Sequence, residues 1–115
     1  MGRTVLDPQV GAAPNVYVYA QCLAKRSGGV TLLIINADPR RSFELNLPTA
    51  GERYTLTAEK LEDATVELNG KSLRLTSSGD LPQFGGEPAK DGRVSFAPTS
   101  ITFLTIAKAG NANCQ

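Results

Sequence analysis

Thr65-Val66-Glu67-Leu68-Asn69-Gly70-Lys71-Ser72-Leu73-Arg74-Leu75 is the stretch that decides the fold class. Asn-Gly between two alternating apolar runs marks a β-hairpin with a type I′ turn. Both residues tolerate the positive φ that this turn requires, and its twist matches that of the flanking strands. A two-residue loop at Asn69 and Gly70 pairs Leu68 with Lys71 and Val66 with Leu73. Val66, Leu68, Leu73 and Leu75 then share one face, with the Lys71 stem at its rim.

Outward from this hairpin, the chain keeps the same grammar of short apolar runs cut by turn residues. Upstream, Tyr54-Thr55-Leu56-Thr57-Ala58 alternates, with Tyr54, Leu56 and Ala58 on one face. Ser42-Phe43-Glu44-Leu45-Asn46-Leu47 alternates too and should bury Phe43, Leu45 and Leu47. Val30–Asn36 is the most apolar run, too short for a helix and flanked by Gly28-Gly29 and Asp38-Pro39, so it predicts the central strand. Val16–Ala20 is β-branched and aromatic throughout, which predicts a strand covered on both faces. Downstream, residues 77–92 are rich in Gly, Pro and Asp and predict a long surface loop. Arg93–Phe96 and Ser100–Ile106 close the series. The expected fold is all-β: an antiparallel β-sandwich of about eight strands, with no helix after residue 15.

At 115 residues the chain fits one domain and buries a core without metal or cofactor staples. Twelve Lys and Arg balance eleven Asp and Glu, so no net field favours nucleic acid or an anionic membrane as partner. No apolar run approaches the roughly 18 residues of a membrane span. The start, Met1 to Pro14, lacks the charged head and apolar stretch of a signal peptide. That leaves a cytosolic chain, or a segment of a longer one whose signal lies upstream.

The chain has no histidine, which excludes Ser-His-Asp and Cys-His triads, His-based metal sites and His general bases. Paired carboxylates are the remaining catalytic chemistry, and glycoside hydrolysis needs two of them about 5–10 Å apart across a cleft. Glu59, Glu62 and Asp63 cluster in a polar connection, where a solvated charge group is the plainer reading. Glu44 and Glu67 point away from the apolar faces of their strands. No catalytic residue is assigned and no cofactor is expected. A sugar-binding module would stack its ligand on exposed rings; Trp is absent, and Phe43, Tyr54, Phe96 and Phe103 fall in patterns that suggest the core. Tyr17, Tyr19 and Phe84 are the aromatic residues left to show a face.

The two cysteines, Cys22 and Cys114, lie near opposite ends of the chain. Two readings stay open on spacing alone: unrelated thiols, or a disulfide tying the tail to the first strand. Closing so long a loop stabilises by roughly 4–5 kcal/mol in the chain-entropy model, and points to an extracellular or periplasmic home. No Cys-x-x-Cys pair supports a redox role.

The order of these features resembles the C-terminal domain of glycoside hydrolase family 79, the heparanase-like β-glucuronidases. Val16-Tyr17-Val18-Tyr19-Ala20-Gln21-Cys22 is similar to the Tyr-rich opening strand of that domain, which ends in cysteine. Val66–Leu75 resembles its hairpin; Leu81-Pro82 and Ser100–Leu104 resemble its loop and final strand. The resemblance implies a disulfide between Cys22 and Cys114 and a secreted or periplasmic location. It implies that residues 1–15 are a linker or the tail of a preceding barrel, and that 16–115 form the sandwich domain. On that view Met1 need not be a native start, and Met1–Leu6 resembles the end of the last barrel helix. The family's activity, retaining hydrolysis of β-glucuronides by two Glu residues, belongs to a (β/α)8 barrel that precedes this domain. The expectation is therefore a non-catalytic sandwich that packs on the barrel through an apolar face and meets glycan only through the parent. The isolated domain is expected to pair with a second copy through an unpaired edge. The competing expectation is an independent carbohydrate-binding or adhesion module.

Overall fold

The computed structural model describes residues 2–8, 13–57, 67–72 and 85–115. In chain order its strands are β1 (Val5–Leu6), β2 (Val16–Cys22), β3 (Val30–Asn36), β4 (Phe43–Leu47), β5 (Gly51–Thr57), β6 (Glu67–Leu68), β7 (Lys71–Ser72), β8 (Glu87–Ala89), β9 (Gly92–Phe96) and β10 (Ser100–Ile106). One 3₁₀ turn follows, Ala112–Cys114. The fold is all-β and antiparallel. A larger sheet runs β1-β2-β3-β10-β5-β6-β7, with β8 also paired to β5, and a smaller sheet holds β4 and β9.

β3 owes its continuous apolar character to its position. It pairs along its whole length with β2 on one side and β10 on the other. Its inward side chains meet alternate residues of β4 and β9, whose outward positions are polar. Ile34, Leu104 and Phe96 are fully buried at the centre, with Leu47, Ala89, Val94 and Ile106 around them. Phe43 and Leu45 pack against this cluster, and the Phe43 and Phe96 ring centroids stand 6.4 Å apart. Leu47 is buried as expected, while Phe43 and Leu45 are half-buried on the same face.

Several polar groups inside have named partners, while the buried Thr31 hydroxyl has none. The Asn36 amide donates to the carbonyls of Arg41 (2.9 Å), Phe96 (3.2 Å) and Ala97 (3.1 Å), tying two loops together. Thr55 and Thr102 share a hydroxyl contact of 3.2 Å. Arg53 points inward too. Its guanidinium lies 5.1 Å from the centre of the Phe96 ring, and it donates to Thr55 Oγ1 (3.2 Å) and the Ser95 carbonyl (3.1 Å). Burial lowers its pKa from the ordinary value, and the charge of Glu87 partly offsets this.

The structure departs from expectation at β1, β8 and β2, and in which face of β5 is core. Val5–Leu6 is a strand, paired with Gln21 and Ala20 of β2, where the resemblance suggested a helix end. The final part of the expected 77–92 loop forms β8, which pairs with Gly51–Arg53 and buries Ala89. Pro88 hid that strand, since proline is tolerated only at a sheet edge such as this one. Third, Val16–Ala20 is covered on one side only: Ala20 is buried while Tyr17 and Tyr19 are half-exposed. Ala58, Glu59, Glu62, Asp63, Val66, Leu73, Leu75, Leu81, Pro82 and Phe84 lie outside the described residues.

At the hairpin, Leu68 pairs with Lys71, and Asn69 and Gly70 take φ of 51° and 82°. Cys22 and Cys114 are joined by a disulfide. The bonded tail is also held by the backbone, since Gly28 N–H donates to the Cys114 carbonyl and Asn111 N–H to the Gly28 carbonyl.

Candidate docking face

Residues directly opposite in an antiparallel ladder share a face. Register therefore builds rows across the larger sheet. Tyr17 faces Ile35, Ile35 faces Ile101, Ile101 faces Leu56, and Leu56 faces Leu68. The neighbouring row is Tyr19, Leu33, Phe103 and Tyr54. Both rows lie on the side away from β4 and β9, because the intervening positions Ile34, Thr102 and Leu104 are the buried ones.

Neither row contains a charge. Tyr17 is 52% exposed, Tyr19 53% and Ile101 39%, and Leu33, Ile35, Phe103, Tyr54 and Leu56 are half-buried. Antiparallel sheets with one solvated face carry polar residues on that face. Exposed apolar patches are common at interaction surfaces, although Leu68, at the end of the first row, is buried. The next row, Gln21, Thr31, Thr105 and Glu52, is polar and bounds the strip on one side.

Sequence patterning placed Tyr54 and Phe103 in the core, and the structure corrects this. Tyr54 and Leu56 do share a face, but it is the outer one; Arg53, Thr55 and Thr57 face inward. β10 is apolar at both parities, Ile101 and Phe103 on one side and Leu104 and Ile106 on the other. Alternation alone could not say which side was core. Phe96 and Phe43 are core as expected.

At the edge of the strip, the Tyr54 hydroxyl donates to the Glu52 carboxylate (3.3 Å). Burial first, then the Glu52 charge and that hydrogen bond, raise its pKa above the ordinary 10.0. Gly86 lies against this pair, where a Cβ would come within 2.9 Å of the Tyr54 ring and 3.0 Å of Glu52. Only glycine leaves both side chains in place.

Two of the clefts among the described residues each contain a single carboxylate. An open groove of ≈ 550 Å³ beside Lys25, Arg26, Lys108 and Thr105 contains one carboxylate, Glu52. A smaller cleft of ≈ 140 Å³ beside Asn36 and Phe43 also contains one, Asp38. The Asp38 carboxylate accepts from the Arg40 and Arg41 amides (2.8 and 3.0 Å), which lowers its pKa. It is engaged as a turn former. Glu44 pairs with Arg93 at 3.2 Å on the surface, and Glu67 is exposed. Among the described residues no group of three His, Cys, Asp or Glu could hold a metal.

No family model matches the chain. Three curated proteins do. Baicalin-beta-D-glucuronidase of Scutellaria baicalensis is 35% identical over 114 residues, covering 92% of this chain and 21% of its own length. Heparanase-like protein 1 of Arabidopsis thaliana is 27% identical over 156 aligned positions, covering 100% of the chain and 28% of its own length. Heparanase-like protein 2 of the same plant is 25% identical, with 92% and 27% covered. The chain thus spans between about a fifth and just over a quarter of each relative it matches. The alignment to heparanase-like protein 1 is longer than the chain itself, so that relative carries extra residues within the matched span.

Proposed function

We propose that this chain, a glycoside hydrolase family 79 homologue corresponding to one segment of the glucuronidase and heparanase-like proteins, is the non-catalytic C-terminal sandwich of a larger enzyme. In this reading the parent hydrolyses β-glucuronides on a (β/α)8 barrel, with retention of configuration. The sandwich packs on that barrel and stabilises it, and glycan is met only through the parent. The observation that carries the reading is the uncharged, open outer face of the larger sheet. A chain that matches between about a fifth and just over a quarter of its relatives' length leaves the bulk of such an enzyme available to cover it. The disulfide supports a secreted or periplasmic setting, where thiols stay oxidised.

A second reading rests on Tyr17 and Tyr19, two half-exposed rings on one side of β2. Such rings suit an independent carbohydrate-binding or adhesion module. Two measurements separate the readings. The purified 115-residue chain is expected to give no turnover of a chromogenic β-glucuronide, while the longer protein that contains it turns the substrate over. Titration of the chain with glucuronic-acid oligosaccharides is expected to show no saturable binding. Saturation abolished by Tyr17→Ala and Tyr19→Ala would favour the binding module, and turnover by the chain alone would overturn both.

A further inference from the structure

The turn at Asn69 and Gly70 carries chemistry as well as a reversal of the chain. Asn69 is the only asparagine in the sequence followed by glycine. In such a pair the side-chain amide carbon can reach the next backbone nitrogen, and glycine puts no Cβ in its way. Gly70 is exposed, with open space where a Cβ would stand, so water and base reach the turn. Base removes the Gly70 N–H proton, and the nitrogen bonds to Asn69 Cγ. The Cγ–Nδ2 bond breaks, and the amide nitrogen takes up a proton and leaves as ammonia. Water then opens the five-membered imide at either carbonyl, leaving aspartate or isoaspartate at position 69. One water is consumed and one ammonia released.

The native fold opposes this step. Ring closure needs Asn69 Cγ to swing onto the Gly70 nitrogen, and the side chain is instead committed to β5. Its Oδ1 accepts from the Thr55 N–H (2.7 Å), one step beyond the last register pair, Leu56 with Leu68. Its Nδ2 donates to the carbonyls of Arg53 (3.4 Å) and Gly85 (3.3 Å). All three bonds must break together before the imide forms. Among the described residues, β6 is joined to β5 by two register pairs, Leu56 with Leu68 and Thr57 with Glu67. So short a pairing opens at lower free energy than the long ladders of β3 and β10.

We propose that Asn69 is a gated deamidation site, closed while its amide bridges the edge of β5 and modified irreversibly when the hairpin lifts away. The modification in turn disables closure. Aspartate sets an oxygen against the Arg53 and Gly85 carbonyls. Isoaspartate adds a methylene to the main chain and spoils the two-residue turn that fixes the register. A reversible opening thereby becomes a permanent loss of this edge. The inference concerns the turn alone and does not rest on the nature of the parent protein.

Peptide mapping by mass spectrometry tests this. The protein is held at mildly alkaline pH with the disulfide intact, in buffer and unfolded in urea, and a peptide of residues 65–75 supplies the ungated rate. Acid at position 69 is followed with time, and electron-transfer fragmentation distinguishes isoaspartate from aspartate. Asn69 is expected to convert in urea at the rate of the peptide, and about tenfold or more slowly in buffer. Equal rates in buffer and in urea would overturn the gate. No conversion in urea or in the peptide would overturn the site itself. Protein modified in urea is then refolded beside an unmodified control taken through the same cycle. A lowered denaturant midpoint, or failure to refold where the control succeeds, is expected. An unchanged midpoint would overturn the claim that modification disables the turn.

Discussion

Asn69 makes its turn do more than reverse the chain. Its N–H donates to the Thr55 carbonyl (2.7 Å) and its Oδ1 accepts from the Thr55 N–H (2.7 Å). Its Nδ2 reaches the carbonyls of Arg53 (3.4 Å) and Gly85 (3.3 Å). The side chain thereby fills the gap on the edge of β5 between β6 and β8. Asn-Gly was legible as a turn because φ preference is local. This second role was not, because it depends on a segment that arrives sixteen residues later, just before β8. Asn69→Ala is expected to cost about 1–3 kcal/mol in denaturant unfolding, since it leaves donors and acceptors unpaired. Asn69→Asp is expected not to rescue it, because an oxygen then faces two carbonyls. Tyr54 gives a pH prediction. Its folded pKa lies above 10.0, so its contribution to stability is complete below pH 10 and is lost as pH rises further. Ultraviolet titration should show a late tyrosine step in the folded chain that Tyr54→Phe removes.

At the scale of elements, β3, β4 and β10 were legible from their patterns. Their apolar runs sit between strong turn residues and their burial is decided by the core. β1 and β8 were not. Two or three residues carry no periodicity, and each strand exists because a longer partner offers an open edge. Facing was the other illegible property. In β5 the inward residues are Arg53, Thr55 and Thr57, made tolerable by the Phe96 ring, Ser95 and Thr102. The outward ones, Tyr54 and Leu56, look like core because they too are apolar and half-buried. The disulfide links elements 92 residues apart. Its removal by Cys22→Ser with Cys114→Ser is expected to cost about 2–5 kcal/mol. The Gly28 and Asn111 backbone bonds remain and soften the loss. Denaturant midpoints with and without reductant measure it. A wild-type midpoint unmoved by reduction of the bond would contradict this expectation.

For the whole molecule, the outer face of the larger sheet carries two uncharged rows, with Tyr17, Tyr19 and Ile101 exposed. The isolated chain is expected to self-associate in sedimentation as concentration rises, through that face or the sheet edge, and Ile101→Lys should reduce this. A strict monomer across concentrations would argue against it. The most direct test of the docking account is the unfolding of the longer protein. Wild type is expected to melt in one cooperative transition. Ile101→Lys, which leaves the sandwich core untouched, is expected to split it, with the sandwich unfolding at the midpoint of the isolated chain. A single transition of unchanged midpoint in the variant would contradict the account.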